Sequence, residues 1–319
     1  MGGRPSVAAA RGGTVGAVRV LVTGSRGFVG TWLLRHLADA GDEVVGLDTE
    51  VDVTDPAALS AAVEKIAPDA VCHLAAQASV GRSWAEARAT FEVNTVGALN
   101  LLDAAGALAR PPRVLLVSSA EVYGRVAADE LPIREEHPFR PASPYAASKA
   151  SAELLGLQAW LGSGLEVVRV RPFNHTGPGQ VPDYVVPALA RQVAEAARSG
   201  ADHLSVGNLA ARRDLTDVRD VVRAYRRLLT DGRPGEVYNV CRGESVLIED
   251  VARRLLALAG VDLPLVIDPS RMRPVDVPDL RGDPSRLRET TGWTPTIELD
   301  RTLQDVLDGF TAGERASPR

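Results

Sequence analysis

A doubly wound parallel α/β sheet is the fold this 319-residue sequence predicts, and three observations predict it. Short apolar runs of strand length alternate with stretches of helical periodicity through the first half of the chain. The first run ends in a glycine-rich turn that opens directly into a helical pattern. The second run ends on an acidic residue, Asp48, eighteen positions after the last glycine of that turn.

Val18 to Val22 is the first buried strand, closed by Thr23-Gly24. From Phe28 to Ala40 the apolar positions Val29, Leu33, Leu34 and Leu37 recur at helical spacing, and Gly41 is the stop. Glu43 to Leu47 reads as a second strand, Ala57 to Ile66 as a helix, and Ala70 to Ala75 as a third strand. A helix around Glu92 to Ala109, a strand from Arg113 to Ser118, a helix from Tyr145 to Leu161 and a strand from Glu166 to Val170 continue the alternation. Strands joined by helices of this length run parallel, through right-handed crossovers.

Beyond Arg171 the rhythm loosens, and proline and glycine cluster in a loop through Gly179. A helix from Pro187 to Ser199, a short strand near Leu204, a strand from Glu236 to Val240, and helices at Ile248 to Ala259 and Leu303 to Phe310 follow. The expected architecture is a Rossmann-type sheet domain over residues 18–172, with 214–241 returning to it. A smaller, interleaved C-terminal substrate-binding lobe takes 173–213 and 242–313. Residues 1–17 read as a disordered tail. They fit the loose N-myristoylation pattern, but their apolar stretch, Val7 to Ala10, is too short for a secretory signal. Residues 314–319 read as a second tail.

Composition narrows the function classes. Hydrophobic residues at 45% and charged residues at 24% exclude wholesale disorder. A net charge of −5 with no basic block argues against nucleic acid or an anionic membrane as partner. No apolar run reaches the ~18 residues of a membrane span, so a soluble, cytoplasmic chain is expected. Cys72 and Cys241 sit in apolar runs and read as buried thiols rather than a disulfide or metal ligands; no metal is expected. Only two of the 36 basic residues are lysines, Lys65 and Lys149, so a retained lysine points to a task arginine performs less well.

The turn Gly24-Ser-Arg-Gly27-Phe-Val-Gly30 carries the first chemistry. Its glycines permit a tight turn, close approach to a pyrophosphate and helix–strand packing, while the helix N-terminus supplies N–H donors. Asp48 suits a ribose 2′-hydroxyl and repels a 2′-phosphate, whereas Arg26 could pair with that phosphate. The cofactor is therefore NAD(P), with the balance leaning slightly to NAD. Asp52 and Val53 are placed to cover the adenine edge, although Asp52 also fits a loop cap.

Tyr145 and Lys149, four residues apart on a helix, share one face. A phenol with an ordinary pKa near ~10 is a poor acid at neutral pH. An adjacent ammonium is expected to lower it, and also to hold the nicotinamide ribose. Ser119, at the C-terminal end of a sheet strand, would donate to a substrate carbonyl or alkoxide. Glu121 reads as a catalytic carboxylate, a hydroxyl-binding group or a solvated loop charge.

Thr23-Gly-x-x-Gly-x-x-Gly30, His73-Leu-Ala-Ala76, Asn94, Ser118-Ser-x-Glu-x-Tyr-Gly124 and Tyr145-x-x-x-Lys149 occur in order. Together they resemble the extended short-chain dehydrogenase/reductase superfamily, which acts on nucleotide sugars, and the resemblance spans Arg19 to about Phe310. The second half is similar to GDP-4-keto-6-deoxy-D-mannose reductases and GDP-mannose 4,6-dehydratases. It is carried by Arg171-Pro-Phe-Asn-His-Thr-Gly-Pro-Gly-Gln180, Val206 to Val221, Tyr238 to Cys241, Arg271 to Pro278 and Thr290 to Pro295.

The resemblance assigns cofactor contacts to Phe28, Val29, Leu74, Ala75, Ala76 and Asn94, and also to Val117, Pro172, Asn174 and His175. On the substrate side it implies Ser79 and Arg191, with Asn174 on the sugar diphosphate and Val185 and Val186 flanking the base. Arg213 and Arg273 would clamp the phosphates. Asp276 stands where these families usually carry a glutamate for the nucleotide ribose. A homodimer through helices packed as a four-helix bundle is also implied. The function expected is NAD(P)H-dependent reduction of the C4 ketone of a GDP-4-keto-6-deoxy-hexose. The alternatives are a 4,6-dehydratase, in which Glu121 removes the C5 proton, an epimerase, and a non-catalytic dinucleotide or nucleotide-sugar binder.

Overall fold

The computed structural model describes residues 18–272 and 277–312. Arg273, Asp276 and the two expected tails, 1–17 and 314–319, lie outside them. Six parallel strands form the main sheet: β1 (Arg19–Thr23), β2 (Glu43–Leu47), β3 (Ala70–His73), β4 (Arg113–Val117), β5 (Val167–Pro172) and the strand Val237–Val240. Across the sheet they run Val237–Val240, β5, β4, β3, β1, β2. The chain steps outward from β1 to β2 and then crosses back to β3, so the winding direction reverses between β1 and β3. An open α/β sheet binds its ligand at that switch point, beyond the carboxyl ends of the strands. Register makes the crevice level: Thr23 pairs with Leu47 on one side and with His73 on the other. Gly24, Asp48 and Leu74 therefore emerge side by side.

Alternation along the strands splits the sheet between two apolar cores. Val20, Val22, Cys72, Leu115 and Val168 pack with Leu33 and Leu37 of α1 (Phe28–Asp39). Leu21, Val71, Val114 and Leu116 face Leu59 and Val63 of α2 (Pro56–Ile66) on the other side. Next in the chain come α3 (Val80–Ala85), α4 (Ala87–Phe91), a π-helical turn at Glu92–Val96, α5 (Gly97–Ala107) and α6 (Pro144–Ser163). Leu101 of α5 and Ala152 of α6 belong to the second of these cores.

After β5 the chain leaves the sheet through α7 (Val185–Ser199) and returns in α8 (Val218–Asp231). Val221, Val222, Tyr225 and Leu228 of α8 complete the first core beside α1. A separate core joins α7 to α9 (Ile248–Ala259) and α11 (Leu299–Ala312) around Leu189, Val193, Val251, Leu255, Leu303 and Leu307. Between those two helices, α10 (Ser285–Thr291) puts Leu287 back into the first core. Among the described residues no helix is long and apolar enough to cross a membrane.

Two differences from the sequence reading have physical reasons. No helix is expected between residues 214 and 236, yet α8 stands there; its four arginines and two aspartates mask an apolar face at 218, 221, 222, 225, 228 and 229. The single helix expected from Glu92 begins instead at Ala87 and passes through the π-turn. That turn lies where Asn94 reaches across the fold: its amide accepts from Gln77 N (2.8 Å) and donates to Ser148 Oγ of α6 (2.9 Å). Such one-turn widenings cluster at functional sites.

Candidate active site

One cavity of about 1360 Å³ runs along the carboxyl ends of the strands. At its floor, β1 ends in a turn that only glycine permits. Gly24 adopts φ +69°, and a Cβ there would lie 2.8 Å from Ala75 N. A Cβ at Gly30 would overlap the Gly24 carbonyl oxygen, so α1 can seat this close to the turn only without one. Gly27 caps α1 with no side-chain hydrogen bond, and the first turn holds no acidic residue. Its N–H donors are left for an anion. Phe28, Val29 and Gly30 of that turn line the cavity, as do Arg26 and Asp48. This cradle, at the switch point and in a cavity of this length, fits a dinucleotide.

The far wall carries the acid–base residues. Ser143 caps α6 by accepting from Ala146 N (3.1 Å), and Pro144 occupies the first helical position, one residue earlier than the sequence predicts. Tyr145 thereby projects from the first turn into the cavity wall beside Ser119 and Glu121. The Ser119 side chain lies near enough to the Tyr145 hydroxyl to act on its proton. Lys149, one turn on, is buried and donates from Nζ to the carbonyl of Val117 (2.9 Å), two residues before Ser119. Burial lowers its pKa to about 8. The phenol does not follow the expected direction: burial raises the Tyr145 pKa, with Glu121 and Tyr184 adding to the rise and only Ser119 opposing it. The ammonium is directed at the Val117 carbonyl instead. Thr23 Oγ1 and His73 Nδ1 share a hydrogen bond of 2.8 Å beneath this wall. Burial and the Lys149 charge hold His73 neutral, at a pKa of about 3.

Asp52, Val53, Leu74, Ala75, Ala76 and Ser79 also line the cavity, and so do Pro172, Asn174 and His175. The His175 and Phe28 rings lie parallel, 6.4 Å apart. Other candidates stand off the wall. Asn94 is buried in its hydrogen bonds to Gln77 and Ser148, and Val186 is packed in the core of the second lobe. Val185 borders that same core. Arg191 pairs with Glu195 on the exposed side of α7 (3.7 Å). Arg213 is buried, and its guanidinium donates to the carbonyls of Arg212 and Val277 (2.8 and 2.7 Å).

Some residues of consequence have no place in the sequence reading. Glu153 of α6, four residues after Lys149, is fully buried and takes three hydrogen bonds from Arg171 (2.6–3.1 Å), with Arg169 alongside at 3.3 Å. Arg171 also donates to Tyr123 Oη (2.8 Å), which donates to Asn239 Oδ1 (2.6 Å). This network ties α6 to β5 and the strand Val237–Val240. The signal for Glu153 was its position in a Tyr-x-x-x-Lys-x-x-x-Glu series, all on one helical face. Tyr184 and Gln180 enter the wall from the loop ahead of α7; nothing in their spacing marks them.

A glycine turn at the switch point of a parallel sheet, with a serine, tyrosine and lysine at the strand ends, defines a dinucleotide-dependent enzyme of the extended short-chain dehydrogenase/reductase type. The chain belongs to the GDP-mannose 4,6 dehydratase family, whose model matches residues 49–306. It is 40% identical over 300 residues to the GDP-6-deoxy-D-mannose reductase of Pseudomonas aeruginosa, covering 93% of this chain and 98% of that protein. The structure of RMD from Pseudomonas aeruginosa complexed with NADPH superposes with a TM-score of 0.87 at 39% identity, over 93% of this chain and 100% of that one. The Thermus thermophilus UDP-glucose 4-epimerase complexed with NAD gives 0.83 at 31% identity, over 94% and 100%.

Proposed function

We propose that this chain reduces the C4 ketone of a GDP-4-keto-6-deoxy-hexose, with NAD(P)H as reductant. The observation that carries the reading is that Ser119 and Tyr145 stand together in the wall of the cavity that also holds the glycine cradle. Its similarity to the GDP-6-deoxy-D-mannose reductase supports the choice of substrate. The bound dinucleotide supplies a hydride. Tyr145 donates its proton to the C4 oxygen, and its raised pKa keeps that proton available at neutral pH. Ser119 donates a hydrogen bond to the same oxygen and stabilises the charge that develops there. The Lys149 ammonium, set against the Val117 carbonyl, is assigned to hold the nicotinamide ribose. Asn174, which also lines the cavity, is assigned to the sugar diphosphate.

Glu121 in the same wall favours one second reading, a 4,6-dehydratase in which its carboxylate removes the C5 proton. Both copies of a homodimer would carry a complete site. Two buried free thiols, Cys72 and Cys241, accord with a reducing compartment, and we place the chain in the cytoplasm.

The test supplies a GDP-4-keto-6-deoxy-hexose with NADH or NADPH and follows dinucleotide oxidation. Turnover is expected, and Tyr145→Phe should lower kcat at least about 100-fold while leaving dinucleotide affinity within a few-fold. Unchanged kcat in that variant removes the reading. GDP-mannose offered without reductant should stay intact; its conversion to the 4-keto-6-deoxy sugar would establish the dehydratase instead.

A further inference from the structure

Two carboxylates and one guanidinium meet where β2 ends. Asp48 accepts from the backbone N–H of Arg26 on one oxygen (2.7 Å) and from Thr49 N on the other (3.0 Å). Glu50 accepts from Asp48 N (2.9 Å), and its second oxygen pairs with the Arg26 guanidinium (2.9 Å). Arg26, Asp48 and Thr49 line the cavity, whereas Glu50 stands outside the wall. Arg26 is thus fixed twice, its backbone by one carboxylate and its side chain by the other.

We propose that Glu50 decides between the two dinucleotides by occupying the guanidinium that a 2′-phosphate would need. The inference rests on the dinucleotide-binding reading above and is independent of the sugar. In a Rossmann-type sheet the acidic residue after the second strand meets the adenosine ribose. A 2′-hydroxyl arriving there finds Asp48 as acceptor and leaves the Arg26–Glu50 pair untouched. A 2′-phosphate brings up to two negative charges to a group of three that already sums to −1. Binding it requires Arg26 to exchange Glu50 for the phosphate, which leaves Glu50 unpaired beside a new anion.

Backbone hydrogen bonds hold the Glu50 carboxyl below its ordinary value, so it is ionised wherever the enzyme would work. Both side chains of the pair are exposed, at 68% and 43%. Exposed pairs are weak and exchangeable, so the discrimination is graded rather than absolute. Glu50 is therefore a specificity residue that acts through Arg26, and NADH is the preferred partner.

Calorimetric titration of the intact chain with NADH and NADPH, without any sugar, tests this. The wild-type chain should bind NADH more tightly. Glu50→Gln should tighten NADPH about three- to fivefold, the scale of an exposed ion pair, and leave NADH within about twofold. Adding Arg26→Gln to Glu50→Gln should abolish that gain, because the freed guanidinium is its source. An unchanged NADPH affinity in Glu50→Gln, or a gain that survives loss of Arg26, overturns the inference and leaves the proposed function standing. Failure of the wild-type chain to bind either dinucleotide overturns both.

Discussion

At the scale of single residues, the proton inventory of the active site decides how the enzyme should respond to pH. Tyr145 is raised above its ordinary value and stays protonated as a donor across the neutral and mildly alkaline range. Lys149, lowered from 10.5 to about 8, gives up its charge first. Turnover in the reductive direction should therefore fall above about pH 8, about tenfold per pH unit once the ammonium is the minority form. Stability moves the other way. Between pH 8 and 10.5 the unfolded chain holds a proton on this lysine that the folded chain has released, so the Lys149 contribution to stability grows as pH rises through that window. A kcat/KM profile from pH 6 to 10, run beside thermal melts, separates the two effects. An alkaline limb that tracks unfolding, or none before pH 10, would contradict this assignment. That Tyr145 and Lys149 share a face of α6 was legible, because four-residue spacing fixes it. The direction of the phenol shift was not, because it depends on burial and on the electrostatic influence of residues distant in sequence such as Glu121 and Tyr184.

At the scale of elements, α6 is the part that must not slide. Tyr145, Lys149 and Glu153 follow one another at four-residue steps, so an anchor at Glu153 fixes the height of the other two above the strand ends. The anchor is ionic and buried: Glu153 is fully covered and sits between Arg169 and Arg171. Removing one member of such a group leaves charge stranded in the interior, at about 3–5 kcal/mol. Glu153→Gln keeps the shape and deletes the charge, so it should lower unfolding free energy by about that amount. It should also reduce kcat more than KM, because misplacing Tyr145 harms proton transfer more than sugar contacts. Denaturant unfolding beside steady-state kinetics checks both; a loss under about 1 kcal/mol with kcat intact would show that α6 is held by its apolar face alone. Elements of this kind were readable as helices and strands wherever apolar periodicity was uninterrupted, as in α1, β4 and α6. The reading failed at α8, where charge obscured periodicity, and at the π-turn, where Asn94 hydrogen bonds to groups far away in sequence reset the helix.

At the scale of the whole molecule, helices α3 to α6 carry exposed apolar side chains. Sheet order and the return of α8 follow from long-range packing that sequence spacing does not encode, and the same holds for this surface. Single exposed apolar side chains are ordinary, but a contiguous group of them marks an interface. Here Trp84 of α3, Phe91 of α4, Leu99 of α5, and Leu154 and Leu161 of α6 are all exposed, Leu161 at 73%, on helices that pack against one another. Leu154 and Leu161 are seven residues apart and so form a stripe along one side of α6. A second copy related by a two-fold axis would bring the same stripes face to face, since such an interface is self-complementary. In such a pair the α6 stripe of each copy would face its counterpart. Light scattering after size exclusion should give twice the chain mass at micromolar concentration. Leu154→Glu with Leu161→Glu should give single chains with an unchanged circular dichroism spectrum, because neither side chain belongs to a core. A wild-type chain that runs as a monomer, or a double variant that stays dimeric, would move the interface to another face.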